Sequence, residues 1–278
     1  MGQTTVDAAT LGTKARELRL MVLDVLRRTS AGHVATSLSC ADIIVALYYG
    51  GVLRFDVNNP AWGDRDRFLM SKGHASTILY CALADLGFFP RDYLWHTGME
   101  DGKMGVHLQP SIPGVEATSG SLGNGAGLGC GIALAARLRR QGHLTYVLLG
   151  DGELSEGSVW EAFLFASRQA LGNLVFVIDR NHMCCSDYTE NCLSLEPLSA
   201  KLSAFGLDVR AVDGHDAAAL VDVLSLPRRQ VGNSPLCVVA ETVKCKGIPS
   251  QENAPMCHFY SPKGEELERA CAEIQGEA

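Results

Sequence analysis

From His143 onward the chain alternates between short apolar runs and amphipathic stretches, and this alternation constrains the fold more than any other feature. His143–Leu149, Leu174–Ile178, Leu207–Val212 and Leu236–Thr242 read as strands. Ser158–Ala170, Leu198–Phe205, Ala217–Leu226 and Lys263–Ile274 read as helices. Strands rich in Val and Leu, separated by helices, imply a parallel sheet covered on both faces. Upstream, Leu18, Met21, Val22, Val25 and Leu26 form a helical stripe within Lys14–Arg28. Ser39-x-x-Asp42 resembles a capping box that starts a helix running to Tyr49. Asp66–Met70 reads as a strand, Ala75–Leu86 as a helix closed by Gly87, and Leu128–Arg140 as a helix. The expected architecture is one α/β domain over residues 1–278: a parallel sheet with helices on both faces and a helical N-terminal lead-in.

Composition removes several classes of function. Twenty-four basic against thirty-one acidic residues leave a net charge of −7, and no basic stripe offers a nucleic-acid surface. A membrane span is not expected. The longest uncharged run, Ala117 to Ala136, contains six glycines, and its continuously apolar half falls short of the ~20 residues a span needs. The first sixteen residues lack an apolar signal core, and Val6 stands where a myristoylation signal requires Ser or Thr. None of the ten cysteines has C-x-x-C spacing, and Cys81, Cys130 and Cys237 sit in apolar segments. They are expected to be small buried hydrophobes in a reducing cytoplasm.

Ligands of an open parallel sheet bind at the carboxyl ends of its strands. Tyr146-Val-Leu-Leu-Gly150 runs into Asp151-Gly152-Glu153, and the next strand runs into Asp179-Arg-Asn181. Adjacent strands would set Asp151 beside Asn181. A carboxylate and an amide oxygen, joined by a backbone carbonyl, suit Mg²⁺ or Ca²⁺. Gly152 would admit a phosphate close to the backbone, and the helix beyond it offers unpaired N–H groups. Each residue alone has an ordinary explanation, Asp151 as a helix cap and Asn181 as a loop residue. Together they favour a metal–diphosphate site. The glycines from Gly120 to Gly131 are not a dinucleotide fingerprint: no strand precedes them and their spacing fails G-x-G-x-x-G. Gly123, Gly127 and Gly131 instead suggest a smooth helical face that another backbone could approach.

At this point the sequence resembles the N-terminal, diphosphate-binding half of transketolases, and in particular the free-standing N-terminal subunits of split bacterial transketolases. The matching blocks run in order from Arg27 to His258. They are Ala31-Gly-His33, Ser71-Lys-Gly-His-Ala-Ser76, Pro113-Gly-Val-Glu116, Ser119-Gly-Ser-Leu-Gly-Asn-Gly125, Gly150-Asp-Gly-Glu-Leu-Ser-Glu-Gly157, Asp179-Arg-Asn181 and Glu252-Asn-Ala-Pro-Met-Cys-His258. The resemblance implies thiamine diphosphate as cofactor. It assigns Asp151, Asn181 and the carbonyl of Met183 to Mg²⁺, with Ca²⁺ or Mn²⁺ as alternatives. His74, Gly152 and Asn181 would serve the diphosphate with His258 nearby, while Gly120 and Leu122 would flank the aminopyrimidine. His33, His107 and His258 would act on a ketose donor, and Glu156 would join a chain of glutamates crossing between two sites.

The reaction so implied is transfer of a two-carbon ketol unit from a ketose or its phosphate to an aldehyde. Imidazoles suit it because they exchange protons and hydrogen bonds with hydroxyls near neutral pH. His96, His143, His182 and His215 lack such motif context and are expected to be ordinary surface or core residues. Three departures from the family point to a specialised donor or acceptor. Val106-His107-Leu108 replaces Gly-His-Pro, Phe259-Tyr260 follows His258 where Gly is common, and Asn124 replaces Gln. The resemblance further implies a partner carrying the pyrimidine-binding domain, in an assembly of two copies of each chain. Two alternatives are half of a related 2-oxo acid decarboxylating enzyme and a non-catalytic assembly protein. Ser71-Lys-Gly-His74 and the four histidines argue against the first, and intact Asp151 and Asn181 against the second.

Overall fold

The computed structural model describes residues 7–100, 102–229 and 232–276; the N-terminal features at Met1 to Val6 lie outside them. In chain order the elements are α1 (Ala8–Thr29), α2 (Val34–Ser39), α3 (Ala41–Tyr48), β1 (Arg67–Met70), α4 (Ser76–Leu86), α5 (Asn124–Leu138), β2 (Thr145–Gly150) and α6 (Gly157–Arg168). There follow β3 (Leu174–Arg180), α7 (Thr189–Cys192), α8 (Leu198–Ala204), β4 (Asp208–Asp213), α9 (Ala217–Leu224), α10 (Leu226–Arg229), β5 (Leu236–Glu241) and α11 (Glu265–Gln275). The five strands form one parallel sheet in the order β1-β2-β3-β5-β4.

Alternate residues of the central strands feed two separate cores. Tyr146, Leu148, Val175, Val177 and Val238 face a core shared with α1, α3, α4 and α9. Val147, Leu149, Phe176, Ile178 and Val239 face a second core with α5, α6 and α8. Burial on both sides explains why these strands read as continuous apolar runs rather than as an alternation. The edge strand β4 is the exception, with no buried residue. Among the described residues no helix is long and apolar enough to cross a membrane.

Several expectations need correction. Helix α1 begins six residues before Lys14, because the Asp7 carboxylate accepts the Thr10 N–H at 3.0 Å and caps it. The capping box at Ser39 does not form. Ser39 Oγ donates instead to Asp179 Oδ2 at 2.6 Å, and Asp42 receives Arg19 and His215. Helix α5 starts at Asn124, four residues before Leu128. Its glycines divide into two sets. A Cβ at Gly125 would overlap Ser71, and one at Gly129 would overlap Val147, so these two seat the helix on the sheet. Gly127 and Gly131 have open space in front of them, whereas Gly123 packs against Glu156 and Ser158 of its own chain.

Candidate active site

Strands β2 and β3 are neighbours, with Gly150 opposite Asp179, so Asp151 and Asn181 emerge side by side as expected. Asp151 is 1% exposed. Its Oδ1 accepts Gly152 N–H at 2.8 Å, and its Oδ2 accepts His182 N–H at 2.6 Å and Arg180 Nη1 at 3.2 Å. Asn181 Oδ1 accepts Met183 N–H at 3.1 Å, closing a turn through His182. Burial and the Asp179 charge push the Asp151 carboxyl up to about 6. A cation beside it would reverse that shift. The donor set of one carboxylate, one amide oxygen and one carbonyl is hard oxygen chemistry and fits Mg²⁺ or a similar divalent ion.

These groups open onto a cleft of ≈ 330 Å³ that also holds His74, Gly120, Leu122 and His258. Two ammonium groups are placed here to which spacing alone assigns no role. Lys72, 1% exposed, is bonded to the Asp179 carboxylate, which Ser39 and Thr242 also hold. Burial alone would discharge Lys72, but Asp179 keeps its affinity for the proton above the ordinary value. Lys244, 2% exposed, donates to the carbonyls of Cys184 at 3.0 Å and Met183 at 3.4 Å and to His258 Nδ1 at 3.0 Å. Burial lowers its pKa. A buried ammonium held by carbonyls and an imidazole makes a ready counter-charge for an anion. Lys72 is visible in the sequence only as one letter of a motif, and nothing in the sequence near Lys244 marks it.

His74 and His258 line this cleft, and His33 and His107 stand close by. The His33 ring lies 6.0 Å from His74, 6.1 Å from His107 and 6.3 Å from His258, and His74 lies 5.8 Å from His258. They arrive from the start of α2, the turn before α4, the long loop before α5 and the loop after β5. Burial and the Lys72 charge push His74 down to about 2, burial and the Lys244 charge push His258 down to about 4, and burial lowers His33. All three are therefore neutral at pH 7. Because Lys244 donates to Nδ1 of His258, the ring proton of His258 sits on Nε2. His33 Nδ1 is buried with no hydrogen-bond partner.

The loop presenting His107 is pinned despite its unusual neighbours. Ser76 Oγ donates to the Val106 carbonyl, Tyr80 OH donates to the His107 carbonyl at 3.0 Å, and Leu108 is 2% exposed. Gly120, at φ 133°, passes 3.4 Å from the His107 ring measured from its absent Cβ, a path closed to other residues. Phe259 stands edge-on to His258, with ring centroids 5.2 Å apart, and is 58% exposed. Glu156 lies outside the cleft, exposed at the start of α6. Of the histidines given no role, His215 bridges Asp42 and the Val243 amide, and His182 meets Glu241 at 2.7 Å. His143 is buried with both ring nitrogens unpartnered.

Residues 12–274 match the family model of the transketolase thiamine diphosphate binding domain. An apulose-4-phosphate transketolase subunit of Actinobacillus succinogenes is 36% identical over 269 residues, covering 96% of each chain. The 6-deoxy-6-sulfo-D-fructose transketolase subunit SqwG of Clostridium sp. is 34% identical, covering 95% of this chain and 96% of that one. Among solved structures, transketolase from Leishmania mexicana aligns with a TM-score of 0.87 at 29% identity, over 98% of this chain and 41% of its own. The chain thus spans about two fifths of that enzyme and nearly the full length of the separate subunits. Fold, strand-end chemistry and the match over residues 12–274 agree, and the chain belongs to the transketolase family as a thiamine diphosphate-binding domain.

Proposed function

We propose that this chain is the diphosphate-holding subunit of a two-chain, cytoplasmic transketolase that moves a two-carbon ketol unit from a ketose or ketose phosphate to an aldehyde. The observation that carries the reading is the placement of Asp151, Asn181 and the Met183 carbonyl beside the buried Lys244 ammonium. Oxygen donors and a positive group thus converge, which supports a metal-bound diphosphate at this point. Relatives of matching length named as transketolase subunits support the two-chain form.

When bound, thiamine diphosphate supplies the nucleophilic carbon and the electron sink for breaking and remaking a C–C bond beside a carbonyl. The chain supplies the rest. Asp151, Asn181 and the Met183 carbonyl would hold Mg²⁺, and Lys244, His74 and the backbone at Gly152 would face the phosphates. Gly120 and Leu122 would form the wall beside the aminopyrimidine. His33, His107 and His258 would hold the hydroxyls of the ketose. As neutral imidazoles, His33 and His258 can donate to or accept from a hydroxyl without adding charge to a site that already contains two ammonium groups. A partner chain would supply the pyrimidine-binding domain and, against the end of α6, the glutamate that Glu156 meets.

Titration of the full chain with thiamine diphosphate, with and without Mg²⁺, tests the site. Asp151→Asn keeps the shape of the side chain and its place against Arg180 while removing the charge. It should abolish the Mg²⁺ dependence of binding and leave the circular dichroism unchanged. A mutant with undiminished Mg²⁺ dependence would take Asp151 out of the metal site. A ketose donor and a 2-oxo acid, offered in turn to the assembled enzyme, separate the transketolase reading from the decarboxylating alternative.

A further inference from the structure

Ten cysteines are expected to be inert small hydrophobes, and six of them are buried: Cys40, Cys81, Cys130, Cys237, Cys245 and Cys257. Cys184 and Cys192 are different. Cys184 is partly exposed, Cys192 is exposed, and their sulfur atoms stand 2.9 Å apart. Cys184 lies on the short loop between β3 and α7, and Cys192 ends α7. The loop is closed by a bridge between Met183 and Tyr188 and by the Thr189 N–H donating to the His182 carbonyl at 2.9 Å. Thr189 is also anchored by Arg180 Nη1 at 2.7 Å, so the Cys192 end is tied to the body of the sheet. Cys184 is tied to the cleft. Its carbonyl accepts Lys244 Nζ, and its Cα lies 3.3 Å from where a Cβ of Gly152 would stand.

We propose that Cys184 and Cys192 form a reversible thiol–disulfide modification site whose oxidation shifts the Met183–Cys184 backbone and weakens the hold on metal and diphosphate. The second half rests on the assignment of the Met183 carbonyl as a metal ligand. A disulfide needs its sulfurs ~2.05 Å apart, so less than an ångström of travel converts the observed contact into a bond. The oxidant is a small-molecule disulfide. One cysteine thiolate attacks it, forming a mixed disulfide and releasing one thiol; the other cysteine then displaces the second thiol. The S–S bond of the oxidant is broken and one S–S bond is made in the protein. The protein gives up two electrons and two protons, which leave on the two released thiols. Octahedral Mg²⁺ tolerates little displacement of a ligand, so a sub-ångström shift one residue from the Met183 carbonyl reaches the metal.

The test treats the full chain with oxidised glutathione and maps its peptides without reduction. The expected result is a Cys184–Cys192 cross-link and a loss of two hydrogens, both reversed by dithiothreitol and both absent in Cys192→Ser. Affinity for thiamine diphosphate in the presence of Mg²⁺ should fall about tenfold or more on oxidation of the wild type, in the range typical of disturbed metal-site support, and stay constant in Cys192→Ser. Glutathione added only at Cys185, or no cross-link, overturns the modification site. A cross-link with unchanged affinity overturns its coupling to the cleft. If the untreated chain shows no Mg²⁺-dependent binding, the metal assignment fails and the coupling with it, while the cross-link map still decides the thiol pair.

Discussion

Lys244 and Asp151 lie in the same cleft, yet only one of them could be found by reading the chain. Asp151 ends an apolar run that is recognisable as a strand, and strand ends are where open sheets carry out their chemistry. Lys244 reaches the cleft from beyond β5, through backbone turns that no local pattern announces; its place there shows only in its burial and its three bonds. The histidines fall between these cases. Each has a motif around it, but the gathering of the other three rings within 6.3 Å of His33 is a property of the tertiary fold. His107 is the one whose surroundings depart most from the family, and its role can be separated from that of the diphosphate groups. Its Nδ1 faces the Gly73 carbonyl at 3.4 Å, and it is not among the residues that line the cleft with Asp151. Replacing His107 with Ala should lower turnover of the assembled enzyme by about 10²–10³, the usual cost of losing one donor to developing charge, while leaving cofactor affinity within twofold. Steady-state kinetics with the cofactor varied separates the two. Normal turnover with a tenfold weaker cofactor constant would move His107 to the diphosphate.

Whole elements were legible where amphipathic period or strand character was strong, and illegible where burial erased it. Helix α2 shows why: all six of its residues are buried, so it has no polar face to betray a period, and its start positions His33. Helix α7 has only four residues. In α5 the glycine spacing was visible but not which glycines were packed. Overpacking a close helix–sheet contact typically costs ~1–3 kcal/mol, and Gly129→Ala, pressed on Val147, should lower stability by about that amount. Gly127→Ala faces open space in the chain alone and should raise it by ~0.4–1 kcal/mol. Urea unfolding of the two variants checks the pair, and equal effects would refute the division of the glycine face. The lead-in helices are joined to the sheet by Asp42, which Arg19 of α1 and His215 of the β4–α9 turn both reach. Burial alone would raise the Asp42 carboxyl, but the His215 hydrogen bond and the Arg19 charge outweigh it and hold it below the ordinary value. A carboxyl depressed on folding contributes stability above its unfolded pKa of ~3.9 and loses it as pH falls through the folded value. Asp42→Asn should therefore cost ~3–5 kcal/mol at pH 7, the usual range for breaking one half of a buried ion pair. The gap to the wild type should narrow below pH ~4 as the wild-type carboxyl takes up its proton. A gap that stays constant from pH 7 to pH 3 would show that Asp42 acts by shape rather than charge.

At the scale of the whole molecule, the outer surface of α5 and α6 is poorly suited to water. Leu128, Leu138, Leu164 and Phe165 are 46%, 74%, 56% and 42% exposed, and Gly127 and Gly131 line a shallow groove with Cys130, Ser158, Ala162 and Phe165. A groove of this kind lets a second backbone approach closely, and Glu156 stands at its edge, at the N-terminal end of α6. Gly120 and Leu122, both only partly buried, line the cleft, and the pyrimidine end of the cofactor would lie against them. Both features favour completion of the site by a partner with a pyrimidine-binding domain, two copies of each chain forming a closed assembly with its sites at the interfaces. The purified chain should then show negligible ketol transfer and weak retention of thiamine diphosphate. Activity should appear on mixing with the partner and rise to a plateau at equal molar amounts, and light scattering should report a particle of four chains at that point. Replacing Phe165 with Asp should suppress the assembly and the activity together while leaving the isolated chain folded, because this side chain faces solvent in the free chain. Full turnover by the chain alone, or a plateau reached without any change in particle size, would remove the need for a partner and return the exposed face of α5 and α6 to the status of ordinary surface.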